Sequence, residues 1–166
     1  PDRDLEWTDS GISGSHKYIN KVWNLMQEVV EGDYKEKSSD EDKTLIDKIN
    51  QTIESVTENI ESFHYNKSVA NLYELVNIFQ KLMLQKAVSK NSLIKGFKTF
   101  SILLQPFTPH LSEEMWKKLG SSALAVNQPW PKPTKTTALK NCNIAIQING
   151  KTKQILEVNC DINKEE

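Results

Sequence analysis

Residues 105–120, QPFTPHLSEEMWKKLG, contain the end of one predicted helix and the whole of the next. Pro106 is predicted to end the first helix, because proline lacks the backbone N–H that a helix interior needs. Thr108 is then a helix-capping residue, Pro109 suits the first helical position, and Gly120 ends the second helix. The stretch therefore predicts two consecutive helices joined by a tight turn.

Upstream of this stretch, apolar residues at three- and four-residue steps predict further amphipathic helices. The first is expected to open at Ser13 or Gly14, after an extended segment at residues 1–11, and to stop at Gly32. Each of these helices has one apolar face, so the pattern predicts a helical bundle.

A polar loop over residues 32–43 leads to the second helix, where Ser39 and Asp42 have the spacing of a capping box. The apolar stripe of that helix ends with Phe63, which is expected to point inward. The connection to the third helix is short, so that helix should return antiparallel. Asn66 is expected to cap it, and Tyr73 belongs to its predicted inward stripe.

The helical pattern ends after Gly120. Residues 127–133, NQPWPKP, cannot form a helix and are expected to lie extended over the bundle, with Trp130 as an anchor. Two β-favouring runs then flank Asn149-Gly150, a strong hairpin signal. The predicted fold is thus mainly α, an antiparallel helical bundle over residues 1–140 with a C-terminal β-hairpin over residues 141–166.

Charge is divided unevenly along the chain, although the formal net charge is only -1. Residues 75–156 carry two acids and twelve lysines, a net charge of +10, whereas residues 1–74 have a net charge of -8. A basic segment of this kind favours a polyanion such as RNA, which binds through its phosphates. A lysine-rich surface that is simply solvated is the alternative interpretation.

Other classes of protein find little support in the sequence. No run of 18 apolar residues is present, which argues against a membrane-spanning helix. The chain begins at Pro1 and reads as a piece of a longer protein, so the lack of a visible leader says little. Cys142 and Cys160 lack metal-ligand spacing and are expected to be reduced thiols, and the three histidines define no metal site.

The two glutamates in the opening stretch do not form a catalytic pair. Glu113 and Glu114 are adjacent, so a helix directs them about 100° apart, and they suit capping and dipole interactions in the first turns. His110 lies in the same turn, and Trp116 is expected in the core. Phosphate-loop and nucleophile-elbow motifs are also missing. We therefore predict no catalytic residue in this chain.

Two pairs of lysines are candidates for contacts with phosphate. Lys17 and Lys21 are four residues apart on the first helix, opposite much of its apolar stripe. Lys151 and Lys153 are expected to project to the same side of the hairpin. Ordinary exposed lysines would give the same spacing, so the alternative stays open for both pairs.

Several segments together resemble leucyl-tRNA synthetases. PDRDLEWTDSGISGSHKYINKVWNL, residues 1–25, resembles the segment that follows their catalytic core, and ESFHYNKSVANLYELVN, residues 61–77, resembles a helix turn in their anticodon-binding domain. LLQPFTPHLSEEMWKKLG, residues 103–120, is similar to the PF-x-PH-x-x-EE-[LM]-W motif of the class Ia synthetases for leucine, isoleucine and valine. QPWP, residues 128–131, and IQINGKTK, residues 146–153, resemble the passage into the leucine enzymes' C-terminal module.

This resemblance implies a tRNA-docking domain of a leucyl-tRNA synthetase, whose catalytic domain attaches leucine to tRNA using ATP and Mg. The HIGH and KMSKS signatures of that chemistry are absent here, so no cofactor is expected in this fragment. Residues 141–166 would begin the C-terminal module, which would continue beyond Glu166. The implied partners are leucine tRNA and the catalytic domain of the same chain, in a monomeric cytoplasmic protein without a membrane contact.

Leucine has six codons, so a domain that serves all its tRNAs should contact phosphate and sugar, which carry no sequence. Lys17 and Lys21 match positions that are basic in the family and face tRNA. The family usually has arginine at the positions of Lys17 and Lys153, and many members have an apolar residue at that of Thr152. These departures weaken the expectation of bidentate contacts, because lysine supplies a point charge.

Three alternatives remain. The chain could be the matching domain of an isoleucyl- or valyl-tRNA synthetase, which shares the central motif. It could be a helical scaffold for protein–protein contacts whose basic face is incidental, which predicts weak and shallowly salt-dependent RNA binding. A self-sufficient enzyme is disfavoured by the missing motifs, and leucine-dependent exchange between ATP and pyrophosphate would test it.

Overall fold

The computed structural model describes residues 8–34 and 40–134, together with the backbone of residues 141–148 and 151–159. The chain divides into two compact units, Pro1–Thr134 and Lys135–Glu166. The elements within the described residues are α1 (Asp9–Glu31), α2 (Asp40–Glu61), α3 (Tyr65–Leu84), α4 (Lys90–Leu104), α5 (Pro109–Lys118), a short 3-10 helix (Ala125–Asn127), β1 (Asn141–Ile148) and β2 (Lys151–Asn159). None of these helices is long and apolar enough to cross a membrane.

The helices of the first unit form a bundle with α4 in contact with all four others. α2 and α3 form an antiparallel hairpin, and the Asn59 amide donates to Asn71 Oδ1 across it at 3.0 Å. Three fully buried rings occupy the core: Phe79 of α3 stacks on Phe97 of α4 at 4.3 Å between centroids, and Phe100 meets both edge-on. The prediction of a helical bundle is confirmed.

The start of α1 was predicted wrongly, because Asp9-Ser10-Gly11 is the first helical turn. Thr8 is extended, and its Oγ1 accepts a hydrogen bond from the Gly11 N–H at 3.2 Å, which satisfies a free donor of that turn. Gly32 follows the helix as predicted, but in extended backbone with φ -73°. A Cβ at this position would collide with the Glu28 carbonyl oxygen, so glycine is needed for the close approach.

α2 begins at Asp40, inside the loop that was predicted for residues 32–43. Ser39, one half of the predicted capping box, lies outside the described residues. The other half, Asp42, is buried, and its Oδ1 accepts the backbone N–H of Ser89 at 2.8 Å. Ser89 is itself the N-cap of α4. Asp42 therefore joins the first turn of α2 to the start of α4.

Two predictions at the α2–α3 turn are wrong. Phe63 is 61% exposed instead of inward, because α2 ends at Glu61 and the chain leaves the helical path, with φ +58° at Phe63. Asn66 is not the cap of α3, because the helix begins one residue earlier and His64 occupies the capping position without a side-chain bond. Helical periodicity indicates the inward face only within the helix. Phe63 lies beyond the end of α2 at Glu61, so the periodic pattern gave its ring the wrong position.

The stretch at residues 105–120 folds as predicted in its main features. α4 ends before Pro106, α5 begins at Pro109, and Gly120 has the left-handed φ of +83° that suits a glycine after a helix. Thr108 occupies the N-cap position of α5 as predicted, although its side chain makes no capping hydrogen bond. The Ser112 hydroxyl, which is buried, donates to the Ser101 carbonyl and so ties α5 to α4.

The segment after the short 3-10 helix runs over α2. Trp130 is half-buried against the core, and its indole Nε1 donates to Thr57 Oγ1 at 2.8 Å. Asn50 donates to the Thr134 carbonyl and accepts the Thr134 N–H, both at 3.0 Å. The predicted extended segment with Trp130 as its anchor is therefore present from Gln128 onward, whereas Asn127 belongs to the 3-10 helix.

In the second unit, β1 and β2 pair antiparallel from Asn141↔Asn159 to Ile148↔Lys151. The Asn149-Gly150 turn and the last residues, 160–166, lie outside the described residues. The register shifts between Ile146 and Gln147, where Gln147 pairs with Thr152 and Ile146 with Gln154. Lys153 is thus the extra residue of a β-bulge.

Candidate nucleic-acid interface

The N-terminal half of α1 is almost entirely open to solvent. Every residue from Asp9 to Asn20 is exposed except Tyr18, which is half-buried, and the fully buried positions begin at Val22. Because so little of this half is covered, its polar side chains are free to meet a ligand along several turns. Tyr18 marks the point where this half of α1 meets α3.

Two tyrosines join α1 to α3 at this point. The rings of Tyr18 and Tyr73 stack with centroids 3.7 Å apart and an angle of 11° between their planes. Tyr73 is 39% exposed, so its predicted inward position is wrong, and the stack forms a partly open aromatic wall. Burial, and to a smaller extent the neighbouring Tyr73, raise the pKa of the Tyr18 hydroxyl above its usual range.

One turn further along α1, a lysine is held in place by α3. The Lys21 ammonium, on a half-buried side chain, donates to Asn77 Oδ1 at 2.8 Å. Lys17 is exposed one turn earlier on the same helix. The predicted pair Lys17 and Lys21 therefore lies on one face, beside the Tyr18–Tyr73 stack. Sequence reasoning missed Asn77, because α3 carries several polar residues and their spacing does not mark this one as a partner of α1.

The second predicted pair, Lys151 and Lys153, belongs to β2 in the C-terminal unit. Lys151 opens β2 opposite Ile148, and Lys153 is the bulged residue. The prediction that their side chains share one face relied on regular alternation along the strand. The bulge interrupts that alternation between them. The two side chains lie outside the described part of the structure.

Some lysines of the basic segment have structural partners. Lys90 donates to the carbonyls of Val30 and Gly32, both at 3.0 Å, and so caps the C-terminal end of α1 from α4. A cation at that end also complements the helix dipole. The Lys98 ammonium lies 5.7 Å from the centre of the Trp116 ring, which is half-buried rather than fully in the core. The charge of this segment is thus only partly available to a ligand.

The glutamates of the central stretch have different environments. The Glu113 carboxylate accepts the backbone N–H groups of Ala125 at 2.7 Å and Val126 at 2.8 Å, and a hydrogen bond from the Gln105 amide. It therefore fixes the 3-10 helix against α5. Glu114 is exposed on the neighbouring face. Glu113 thus has a structural role, but through Gln105 and the 3-10 helix and not through the capping and dipole interactions that the sequence suggested.

The described residues contain no group of three or more His, Cys, Asp or Glu side chains that could hold a metal ion. His16 lies on the exposed half of α1, where the Asn20 amide is 3.1 Å from its Nε2. The amide of Asn20 also donates to the His16 backbone carbonyl at 2.9 Å. The face formed by Lys17, Lys21 and the tyrosine stack presents cationic, aromatic and amide groups. Such groups suit a nucleic acid, which has anionic phosphates and aromatic bases.

Comparison with known proteins gives a consistent result. The family model for the anticodon-binding domain of tRNA ligase matches residues 42–166. The leucine–tRNA ligase of Fusobacterium nucleatum is 36% identical over 95% of this chain, and that of Dinoroseobacter shibae is 37% identical over 100% of it. This chain spans only 20% and 19% of those two proteins, about a fifth of their length.

A solved structure resembles the chain over almost its whole length. It is a crystal structure of the agnB2 LeuRS of Agrobacterium radiobacter K84 in a ternary complex with tRNA and LeuAMS. The TM-score is 0.76 at 25% sequence identity, and the match covers 97% of this chain and 21% of that chain. Together with the family match and the leucine–tRNA ligase relatives, this shows that the chain belongs to the anticodon-binding domains of tRNA ligases.

Proposed function

We propose that this chain is the tRNA-docking part of a leucine–tRNA ligase and that it holds leucine tRNA through the phosphate backbone. Lys17 and Lys21 on α1 are the principal contacts, and Lys151 and Lys153 on β2 add contacts from the second unit. The observation that carries the proposal is the Lys21–Asn77 hydrogen bond, which holds a cation on an open helix face. Family membership supports tRNA as the polyanion.

The chemistry of the face favours backbone contacts over reading of bases. A lysine ammonium is a point charge that suits a phosphate oxygen, and it lacks the fork geometry with which arginine pairs to guanine. Contacts of this kind carry no sequence information. They suit a ligase whose tRNAs differ in their anticodons, as six leucine codons require.

The rest of the proposal concerns the longer protein. We propose that leucine activation, which uses ATP and Mg, occurs on a catalytic domain of the same polypeptide. In this division of labour, the bundle binds and orients tRNA and carries no catalytic residue or cofactor. We further propose that the protein is monomeric and acts in the cytoplasm. The leucine–tRNA ligase relatives support this assignment of roles.

A salt titration tests the proposed face. We expect the double variant Lys17→Ala/Lys21→Ala to bind leucine tRNA about tenfold more weakly at low salt, because two phosphate contacts are lost. The slope of log affinity against log salt should become shallower by about two. Fluorescence anisotropy with labelled tRNA at several salt concentrations measures both quantities. A non-cognate tRNA should lose as much affinity as leucine tRNA.

The matched control removes the same charge from another helix. Lys43 and Lys48 are exposed on α2, which packs against α3 and α4. Lys43→Ala/Lys48→Ala should leave most of the affinity and the slope in place. Equal losses in the two double variants would mean that overall charge, not this face, determines binding. Undiminished binding by Lys17→Ala/Lys21→Ala would refute the proposed contacts and favour a protein-binding scaffold.

Asn77 gives a second prediction, because it acts only through Lys21. Asn77→Ala should weaken tRNA binding about two- to fivefold, since the ammonium is no longer held in place. This is less than the roughly 1.5–3 kcal/mol of a hydrogen bond to a charged group, because the contact is exposed to solvent. In a Lys21→Ala background, the same change should have almost no effect. The four affinities of this double-mutant cycle give the coupling. An equal effect in both backgrounds would show that Asn77 does not act through Lys21.

A further inference from the structure

Three helices of the bundle end in the same way. After α2, α3 and α5 the chain passes through a residue with positive φ: Phe63 at +58°, Lys86 at +47° and Gly120 at +83°. In each case two backbone N–H groups turn back to carbonyls of the last turn. These bonds are Phe63→Ile60, His64→Asn59, Lys86→Met83, Ala87→Leu82, Gly120→Lys117 and Ser121→Trp116. This is the Schellman arrangement, in which the left-handed residue is usually glycine.

Phe63 is the least expected residue at such a position. A left-handed conformation brings Cβ close to the backbone, so glycine adopts it freely and a bulky side chain is strained there. Only α5 ends with the favoured residue. At the end of α2, the sequence keeps a large aromatic ring where glycine would make the fold more stable. A strained residue of this kind is a reason to look for a use of its side chain.

The ring is placed in solvent rather than in the core. Phe63 is 61% exposed and Tyr65 42% exposed, and their rings meet edge to face with centroids 6.0 Å apart. His64, Asn66 and Lys67 beside them are all exposed. The apolar area is therefore limited to two rings surrounded by polar groups. A stable protein–protein interface needs about 800 Å² on each partner, whereas two rings suit a single flat group.

The aromatic pair lies at the start of α3, the helix whose later turns contact Tyr18 and Lys21 of α1. Tyr65, Val69, Tyr73 and Asn77 follow one another at four-residue steps, so each neighbours the next along a ridge that winds by about 120° around α3 from end to end. The last two residues of this ridge contact Tyr18 and Lys21 of α1. At 1.5 Å per residue, Tyr65 lies about 18 Å along the helix from Asn77. An RNA strand of a few nucleotides can reach from one to the other.

We propose that Phe63 and Tyr65 form a stacking platform for one unpaired base of the tRNA whose backbone contacts Lys17 and Lys21. This inference rests on the proposed function and adds to it a contact that is not electrostatic. Every base has a π face, so stacking on Phe63 is compatible with binding that ignores sequence. The exposed charges beside the platform, Glu61 and Lys67, are of opposite sign, so the flat rings determine the group to be bound, and a base matches them.

Phe63→Gly is the variant that separates binding from folding. It removes the ring and places the favoured residue at the end of α2, so the thermal midpoint should stay the same or rise. Lys86→Gly makes the same backbone change at the end of α3 and should act on the midpoint in the same direction. Affinity for leucine tRNA should fall about tenfold with Phe63→Gly, the scale of one lost stack. Phe63→Tyr, which keeps an aromatic face, should restore it.

Anisotropy titrations with two RNA probes complete the test: a leucine tRNA transcript and a fully paired, blunt-ended RNA duplex. We expect Phe63→Gly to weaken binding of the tRNA but not of the duplex, which offers no unpaired base. The loss should persist at high salt, whereas the loss in Lys17→Ala/Lys21→Ala should shrink. Equal effects on both probes, or no effect on tRNA, would overturn the platform. If the lysine variant still weakened binding in that case, the proposed function would stand without it.

Discussion

Phe79→Ala is expected to lower the free energy of unfolding by about 3–5 kcal/mol, the range for removing a buried phenylalanine. The Phe79 side chain is fully buried, stacks on Phe97 and meets Phe100 edge-on. The ring also lies against Gly96, where an added Cβ would be 2.9 Å from a ring carbon. Its loss leaves a cavity between α3 and α4. Urea unfolding followed by circular dichroism measures the change.

Phe63→Ala is the matched control for this prediction, because it removes the same side chain from an exposed position. It should change the free energy of unfolding by less than about 1 kcal/mol. A similar loss in the two variants would contradict the assignment of Phe79 to the core. A loss below about 1 kcal/mol for Phe79→Ala would show that the surrounding helices close around the missing ring.

Asp42→Ala is expected to lower the free energy of unfolding by about 2–3 kcal/mol, the second largest effect. The Asp42 carboxylate is buried and accepts the N–H of Ser89, so its removal leaves a buried donor without this partner. Asp42→Asn keeps an acceptor oxygen at the same place. Its free energy of unfolding should therefore fall by roughly half as much as that of Asp42→Ala. Thermal or urea unfolding of the two variants and of wild type gives the comparison.

Asp40→Ala provides the exposed counterpart on the same helix. Asp40 forms an ion pair with Lys43 at 2.9 Å, and both side chains are well exposed. Such pairs contribute little, so the variant should stay within about 0.5 kcal/mol of wild type. Equal effects at positions 40 and 42 would point to the helix dipole at the start of α2, and would contradict a special role for the contact with Ser89.

The helices could be predicted because the buried face of each helix requires an apolar residue every three or four positions, and this spacing is visible in the sequence. Leu93, Phe97, Phe100 and Leu104 of α4 recur at three- and four-residue steps, and all four are buried. The ends were harder to place, because they depend on single hydrogen bonds. Thr8 begins α1 by capping Gly11, whereas the sequence offered Ser13 and Gly14 as equally reasonable starts.

The candidate site was predictable only in part. The spacing of Lys17 and Lys21 predicts a shared face without reference to other helices, since it depends on one helix alone. The contacts of Asn77 and Tyr73 depend on how α1 packs against α3, and a periodic pattern carries no information about that. The charge count also overstated the free cations, because Lys90 caps α1 from another helix.

The hydrogen bonds that hold the extended segment against α2 have a consequence for folding during synthesis. Asn50 meets Thr134, 84 residues later, and Thr57 meets Trp130, 73 residues later. At about 5–20 residues per second, a ribosome needs roughly 4–17 s to deliver the partner of Asn50. During that interval the segment that contains Trp130 and Thr134 cannot yet pack against α2. α2 of the nascent bundle is therefore open to chaperones and proteases for these seconds, although it leaves the ribosome before α3, α4 and α5.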